Sequence, residues 1–298
     1  MPGVAAPHSA GTAAPARPVP AGACDSHMHI FDPRFAASPH WHRTPPVADV
    51  PAYRALQRRL GTGRTVVVTP STYGTDNRCT LDALAALGPQ ARGVAVVDAD
   101  VDPAELRRLQ AHGVRGLRVN FYSPQSWGVT PPEMLAVLGA KAAPLGWHIQ
   151  VLAPSAMLLA LAPHLRALQA LAVPLVIDHM ALIAPEDGVQ GAAFALVREL
   201  LDAGRTWVKL SGAYMASRSG APDYADRDAL ATALVRAAPQ RMLWGSDWPH
   251  TTAAPGSVDD ALLLDRLERW CDSPAQRDAI LVDNPAALYG FDTPLPTT

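Results

Sequence analysis

Short, almost wholly apolar runs alternate with amphipathic stretches along most of this chain. The runs 65–68 and 94–97 hold only valine, alanine and threonine, a composition typical of strands that are buried on both faces of a parallel sheet. Similar runs predict eight strands, at 23–30, 64–69, 93–97, 114–120, 147–152, 174–179, 206–211 and 241–246. The stretches between them have helical spacing of apolar residues and predict helices at 50–60, 77–87, 102–112, 131–145, 155–171, 190–203, 227–237 and 257–270.

Local signals at the ends of the predicted helices support this alternation. Asp102, followed by Pro103 and Glu105, offers an N-cap, a proline in the first turn and an acid at the third position. Gly113 and Gly146 come directly after predicted helices, where a left-handed residue is favoured. The strand–helix units therefore predict an α/β protein, a single-domain (β/α)8 TIM barrel over residues 23–298.

An open, doubly wound sheet is the alternative architecture, and it is less favoured because no glycine-rich phosphate loop follows any predicted strand. In a barrel, the insertions 31–49 and 70–76 lie on the C-terminal face, where the active sites of this fold form. Residues 1–22 are mostly alanine, proline and glycine and lack the pattern of a signal peptide, so they predict a flexible or extended arm. Residues 284–291 predict a short closing helix.

The composition of the chain limits the classes of binding partner that we expect. The formal net charge of −2 and the pI near 6.5 give no electrostatic reason to expect nucleic acid or an anionic membrane as a partner. No apolar run approaches the roughly 20 residues that a membrane span needs. The three cysteines are far apart and odd in number, which argues against a disulfide framework and for a reducing, cytoplasmic location. A small molecule is therefore the expected ligand, and assembly into a homo-oligomer is left open.

Candidate chemistry is concentrated at the ends of the predicted strands. His27 and His29 are two residues apart, so a strand conformation places both imidazoles on one face. With His179 and Asp247, which end two further apolar runs, they have the right types for one metal ion. The four can also act without metal, with Asp247 taking a proton from water while protonated histidines and Arg118 stabilise an oxyanion. A pair of satisfied structural histidines is the simpler alternative.

Other polar residues of these strands are expected to converge on the same rim: Asn120, His148, Gln150, Asp178, Lys209 and Ser211. Lys209 is expected to pair inside the barrel with a carboxylate. A bridged two-metal centre is disfavoured because neither predicted strand four nor strand five carries a lysine. A serine hydrolase is disfavoured because no G-x-S-x-G elbow is present. Residues 40–43 of the first insertion, His-Trp-His-Arg, predict surface or substrate-rim groups rather than metal ligands.

Several motifs extend over nearly the whole chain, at 25–32, 73–77, 116–120, 177–180, 209–214 and 245–250. Together they resemble the amidohydrolase superfamily, and within it the lactonase branch that contains 2-pyrone-4,6-dicarboxylate hydrolase. The resemblance implies a barrel hydrolase that opens a carboxylated lactone of pyrone-dicarboxylate, muconolactone or sugar-acid type, with Asp247 as the base that activates water. His27, His29 and His179 would hold the scissile carbonyl oxygen, directly or through one divalent ion such as zinc or manganese. The resemblance also implies that a metal ion is needed weakly or not at all.

The resemblance also implies a substrate-binding set, in which Arg118 would grip a substrate carboxylate. Further contacts would come from Ser71, Tyr73, Gln150, Tyr214 and His250. One position departs from the branch: where its members often have an arginine for a second acidic group, this chain has Met215. Because a thioether cannot replace a bidentate clamp, a lactone with one carboxylate, or a sugar-acid lactone, is expected unless Arg218 or His42 substitutes.

Three alternatives stand beside the lactonase. A metal-dependent decarboxylase of the same superfamily would use the same four residues as zinc ligands. A lactone isomerase would bind its substrate as the hydrolase does. A non-catalytic barrel that binds a sugar acid or an aromatic acid is disfavoured, because a binding protein has no need of an unpaired base.

Overall fold

Eight parallel strands form one sheet, in the order in which they follow along the chain, in the residues that the computed structural model describes, 4–122 and 130–292. The strands are β1 Cys24–Met28, β2 Arg64–Val68, β3 Ala91–Ala95, β4 Val114–Asn120, β5 His148–Leu152, β6 Leu175–Ile177, β7 Thr206–Leu210 and β8 Met242–Trp244. Backbone hydrogen bonds just beyond β8, from Asp247 N to His27 O (2.8 Å) and from His29 N to Trp248 O (2.9 Å), close the sheet into a barrel. The predicted (β/α)8 fold is confirmed.

Helices connect the strands. They are α1 Val50–Leu60, α2 Arg78–Leu87, α3 Pro103–Ala111, α4 Met134–Ala142, α5 Ser155–Ala160, α6 Ala162–Ala170, α7 Ala192–Asp202, α8 Ala213–Ala216, α9 Asp228–Ala237, α10 Asp260–Trp270, α11 Pro274–Leu281 and α12 Asp283–Tyr289. Asp49 and Asp102 cap α1 and α3 by accepting from backbone N–H groups, and Gly61 follows α1 in the left-handed conformation. None of the helices in the described ranges is long and apolar enough to cross a membrane.

Two predicted helices differ from the observed ones because of proline. The predicted helix 155–171 is divided into α5 and α6, since Pro163 has no N–H group to donate to the preceding turn. The predicted helix 131–145 becomes α-helical only at Met134, after two prolines. Helices α8 and α11 are additions to the predicted set.

The barrel interior has an apolar half and a polar half. Val66 and Val68 of β2 belong to a small buried cluster inside the barrel, whereas Val67 between them packs in the large cluster beneath the helices. Tyr289 and Phe291, at the end of α12 and just after it, belong to the small cluster. Because apolar side chains fill most of this half, most of the buried polar groups lie in the C-terminal half of the barrel.

The N-terminal arm is irregular and lies against the barrel over residues 4–22. The indole N–H of Trp248 donates to the backbone O of Pro7 (2.7 Å). The guanidinium groups of Arg59 and Arg277, both buried, donate to backbone carbonyls of the arm. Buried cations need acceptors, and here the arm supplies them, which favours the extended form of the prediction over the flexible one. The predicted domain boundary after residue 22 stays a prediction.

Candidate active site

Two histidines at the end of β1 form the centre of the site. A register shift between Asp25 and Met28 interrupts the alternation of β1, so that Asp25 accepts from Tyr53 of α1 while His27 faces the barrel interior. His29 lies two residues further on, and its Nε2 is 3.3 Å from Nε2 of His27. The two imidazoles therefore meet, as their spacing predicts.

Asp247 and His179 follow β8 and β6 in turns with a left-handed backbone. The angle φ is 62° at Asp247 and 53° at His179, a conformation that costs a residue with a Cβ about 1–2 kcal/mol. These turns bring Oδ1 of Asp247 to 3.5 Å from Nε2 of His27 and of His29, and to 3.8 Å from Nε2 of His179. The four residues that the sequence selects as catalytic thus converge on one carboxylate oxygen.

Asp247 is the charged member of this group. Burial raises the pKa of its carboxyl, but the imidazoles of His179, His29 and His27 outweigh burial and hold the pKa well below its ordinary value. Tyr214 donates its hydroxyl to Oδ2 (2.7 Å). Asp247 is therefore a carboxylate at neutral pH, with one oxygen fixed by Tyr214 and the other directed at the imidazoles.

Burial shifts the protonation equilibria of His27 and His179 towards the neutral form. Burial lowers the pKa of His27, and the Lys209 ammonium lowers it further, against the opposing effect of Asp178. Burial also lowers the pKa of His179, against two neighbouring carboxylates. Burial therefore disfavours the protonated form that is expected from the sequence for these two rings. The cations next to these two rings are Lys209 and Arg118.

Hydrogen bonds at Nδ1 orient the other two rings. Nδ1 of His29 lies 2.8 Å from the backbone O of Val68, which can only accept, so Nδ1 carries a proton and donates it to this oxygen. Nδ1 of His179 lies 2.8 Å from Oγ of Ser211. Both rings are thereby held with Nε2 towards Asp247.

A buried polar network lies directly behind His27. The Nζ of Lys209 donates to Oε1 of Gln150 (2.7 Å) and lies 3.1 Å from Nδ1 of His27 and 3.7 Å from Oδ1 of Asp178. Gln150 in turn donates its amide to Oδ2 of Asp178 (3.0 Å). Burial lowers the pKa of Lys209 to about 8, against the effect of Asp178. The predicted pairing of Lys209 with a carboxylate is confirmed.

His29, His179 and Asp247 line a cavity at the C-terminal rim of the barrel. Arg118 of β4, Ser71 after β2 and Met215 of α8 line the same cavity, and the first insertion contributes Trp41 and Arg43. Only 3% of Arg118 is exposed, and its Nε lies 3.5 Å from Oδ2 of Asp178. The cavity thus combines a carboxylate, imidazoles and two guanidinium groups with an apolar wall.

Four predicted substrate-binding residues, Tyr73, Gln150, Tyr214 and His250, do not line this cavity. The hydroxyl of Tyr73 accepts from a backbone N–H group (3.0 Å), and Gln150 is committed to the network behind His27. Nε2 of His250 lies 3.0 Å from Oδ2 of Asp260, and its ring packs edge-on against Tyr214. Tyr214 donates to Asp247, so each of the four supports a neighbouring group, and direct substrate contact by them stays a prediction that their positions do not support.

His148 lies at the opposite end of the barrel from the expected rim. It is the first residue of β5, and its ring centroid is 5.4 Å from that of Tyr289 in the apolar half. A five-residue strand spans the barrel, so its first and last polar residues face different ends.

Trp41 and Arg43 are site residues that the sequence identifies only as part of a rim segment.

The converging atoms also fit one metal ion. Nε2 of His27, Nε2 of His29 and Oδ1 of Asp247 are separated by 3.3 and 3.5 Å, and ligand atoms of these three residues form a buried group that could hold an ion. Tetrahedral coordination at about 2.0–2.1 Å places ligand atoms about 3.3 Å apart. Nε2 of His179, 3.8 Å from Oδ1 of Asp247, is not part of this group, so the set that fits a zinc-like ion is two nitrogens and one oxygen.

Comparison with known proteins agrees with this geometry. The profile of the amidohydrolase family matches residues 24–291. The chain belongs to the amidohydrolase family. Over 278 residues this amidohydrolase is 36% identical to the 4-sulfomuconolactone hydrolase of Rhizobium radiobacter, with 91% of each chain covered. It is 34% identical over 281 residues to the 2-pyrone-4,6-dicarboxylate hydrolase of Comamonas testosteroni, again with 91% of each chain covered.

The fold of this amidohydrolase is also similar to that of solved structures. An apo crystal structure from Agrobacterium tumefaciens superimposes with a TM-score of 0.83 at 31% identity, covering 94% of this chain and 99% of the other. The enzyme class and the lactonase branch that the sequence motifs indicate are thereby confirmed.

Proposed function

We propose that this amidohydrolase hydrolyses a carboxylated lactone with Asp247 as general base. The observation that carries the proposal is Oδ1 of Asp247, a buried carboxylate oxygen that faces three imidazoles beside a cavity that Arg118 also lines. Two relatives that match over nearly their whole length are lactone hydrolases by name. A water on Asp247, a lactone carbonyl at the imidazoles and a carboxylate on Arg118 would use each of these groups.

Asp247 first removes a proton from the attacking water. Because Tyr214 holds Oδ2, Oδ1 is the atom that accepts the proton as the water oxygen attacks the lactone carbonyl carbon. A C–O bond forms, an O–H bond breaks, and the former carbonyl oxygen becomes negatively charged. Collapse of this intermediate breaks the bond from the acyl carbon to the ring oxygen. The proton on Asp247 then passes to the ring oxygen, which leaves a ring-opened hydroxy or enol acid.

His27 stabilises the oxyanion through its neutral ring. We assign the ring proton of His27 to Nε2, which faces the reacting carbonyl: Nζ of Lys209, 3.1 Å from Nδ1, can only donate, whereas Oδ1 of Asp178, 3.2 Å from the same Nδ1, favours the opposite tautomer. This N–H group and the nearby charges of Lys209 and Arg118 are preorganised for negative charge on the former carbonyl oxygen. Lys209 acts here as a positioning residue, because it reaches the reaction only through His27.

The arrangement of the three histidines and Asp247 also bears on whether the enzyme needs a metal ion. His27, His29 and Asp247 would hold one divalent ion, zinc or manganese, which when bound would supply Lewis-acid polarisation of the carbonyl. A nitrogen that carries a proton cannot bind metal, so metal at Nε2 of His27 requires the ring proton on Nδ1, donated to Oδ1 of Asp178 (3.2 Å), whereas donation by Lys209 to Nδ1 favours the metal-free form. For that reason we infer that a metal ion is not strictly required.

Two further expectations concern the location of the protein in the cell and its assembly. Cys24, Cys79 and Cys271 are all free thiols, which fits the reducing, cytoplasmic location that the sequence predicts. Assembly into a homo-oligomer stays a prediction.

The test is proton release from a panel of carboxylated lactones, before and after chelation of metal, with identification of the product. Turnover that survives chelation and yields the ring-opened acid supports the proposal in full. Turnover that is lost on chelation and restored by one equivalent of zinc or manganese would keep the lactonase but make the histidines metal ligands. An isomeric lactone as product would indicate an isomerase, and release of CO₂ from an aromatic acid a decarboxylase; failure to open any lactone would contradict the proposal.

A further inference from the structure

Arg43 is an exposed cation that the first insertion, residues 31–49, presents to the active-site cavity. It lines the cavity together with Trp41 and Arg118. Its guanidinium carbon lies 4.8 Å from the centroid of the Trp41 ring, a cation–π contact. Stacking occupies the face of the guanidinium group, so its N–H edge stays available to a ligand.

Arg43 differs from several other exposed arginines because it has no acidic partner among the described residues. Arg34, Arg78 and Arg108 each pair with an aspartate or a glutamate. No acidic side chain in residues 4–122 or 130–292 forms an ion pair with Arg43. The indole Nε1 of Trp41 is buried and also has no hydrogen-bond partner in those ranges. The cavity wall therefore holds the guanidinium of Arg43 and the indole N–H of Trp41. No acceptor in the described residues pairs with either group.

The residues that could replace the missing arginine of the branch are placed differently. Met215 lines the cavity and supplies no charge. Arg218 is exposed, pairs with Glu186 and is not part of the cavity wall. His42 is not part of it either. Among the described residues, the cation that shares the cavity wall with Arg118 is Arg43.

We propose that Arg43 binds a second anionic group of the substrate, a carboxylate or a sulfonate, while Arg118 binds the first. The inference rests on the proposed lactonase function, and it replaces the single carboxylate expected from Met215 with a lactone that carries two anionic groups. The planar guanidinium offers parallel N–H donors that match either group. Trp41 is a positioning residue, because its ring holds the guanidinium in place.

The test compares Arg43→Met with Arg218→Met on matched lactones that carry one or two anionic groups. In Arg43→Met, KM for the dianionic lactone should rise at least about tenfold, as expected for loss of one charge-assisted hydrogen bond. Its kcat should change by less than about twofold, because the contact is made equally in the ground state and the transition state. KM for the monoanionic lactone should stay at the wild-type value, and Arg218→Met should behave as wild type on both.

A dicarboxylated lactone and a sulfonated, carboxylated lactone are measured separately, and the one whose KM rises more in Arg43→Met identifies the second group. Trp41→Leu keeps the charge but removes its platform, so it should raise KM for the same lactone alone. Equal changes for monoanionic and dianionic lactones, or no change, would overturn the subsite while leaving the lactonase intact. If the wild-type protein opens no lactone, the proposed function fails and this subsite fails with it.

Discussion

Replacement of Asp247 by asparagine removes one negative charge from the active site and keeps the shape of the side chain. Asparagine tolerates the left-handed backbone of this position, where φ is 62°. Its carbonyl oxygen can still accept from Tyr214, whose hydroxyl lies 2.7 Å from Oδ2 in the wild-type protein. We therefore expect the variant to fold, with a free energy of unfolding below the wild-type value because the stabilised charge of Asp247 is lost.

Catalysis should fall far more than stability. A positioned general base contributes about 10²- to 10⁴-fold to a rate, and an amide cannot take up a proton at neutral pH. We expect kcat of Asp247→Asn to fall about 10³-fold, which is about 4 kcal/mol in activation free energy. KM should change little, because Arg118 on the cavity wall is untouched.

Proton release from a carboxylated lactone measures kcat and KM, and thermal unfolding followed by circular dichroism measures stability. Tyr214→Phe is the matched control: it keeps the carboxylate and loses one hydrogen bond, so kcat should fall only about tenfold. If folded Asp247→Asn kept more than about a tenth of the wild-type kcat, a role for Asp247 as general base would be refuted.

Three further predictions concern the surroundings of Asp247. Arg118→Met should raise KM for a carboxylated lactone at least about tenfold through loss of a charged hydrogen bond, and an unchanged KM would remove Arg118 from substrate binding. The pKa of Lys209 is lowered from 10.5 to about 8, so kcat without metal should fall as the pH rises through about 8 and the ammonium is lost, and Lys209→Met should lack this step in its pH profile. The contribution of Lys209 to stability should instead rise between pH 8 and 10.5, since the unfolded chain then binds more protons, and urea unfolding across that range checks the sign. A chain that begins at Ala14 loses backbone acceptors of Arg59 and Trp248; its Tm should fall by at least about 5 °C, and an unchanged Tm would mean that the arm contributes no stability.

The barrel could be predicted because its strands are short, apolar and regularly spaced. The bounds of β4 and α1 are those that the pattern predicts, since each ends at a change of polarity. The division between α5 and α6 was harder to foresee from periodicity alone, because the apolar spacing continues through Pro163 while the backbone hydrogen bonds do not.

The active site could be predicted only where local spacing or a recognised motif determines it. His27 and His29 meet because two residues separate them, and Asp247 ends an apolar run. Gln150 was expected to bind substrate, but its amide is used by Lys209 and Asp178 on neighbouring strands, a pairing that no local pattern records. Arg43 reaches the cavity through the path of a long insertion, which its own sequence does not determine.

Hydrolysis of a dicarboxylated lactone in H₂¹⁸O by the chelated enzyme tests the central claim most directly. Attack of water on the carbonyl carbon predicts one ¹⁸O atom per turnover in the new carboxylate and none in the released hydroxyl or enol oxygen. Asp247→Asn should incorporate the label at the same position at a greatly reduced rate. Label in the released oxygen, or a product without label, would contradict attack of water on the lactone carbonyl.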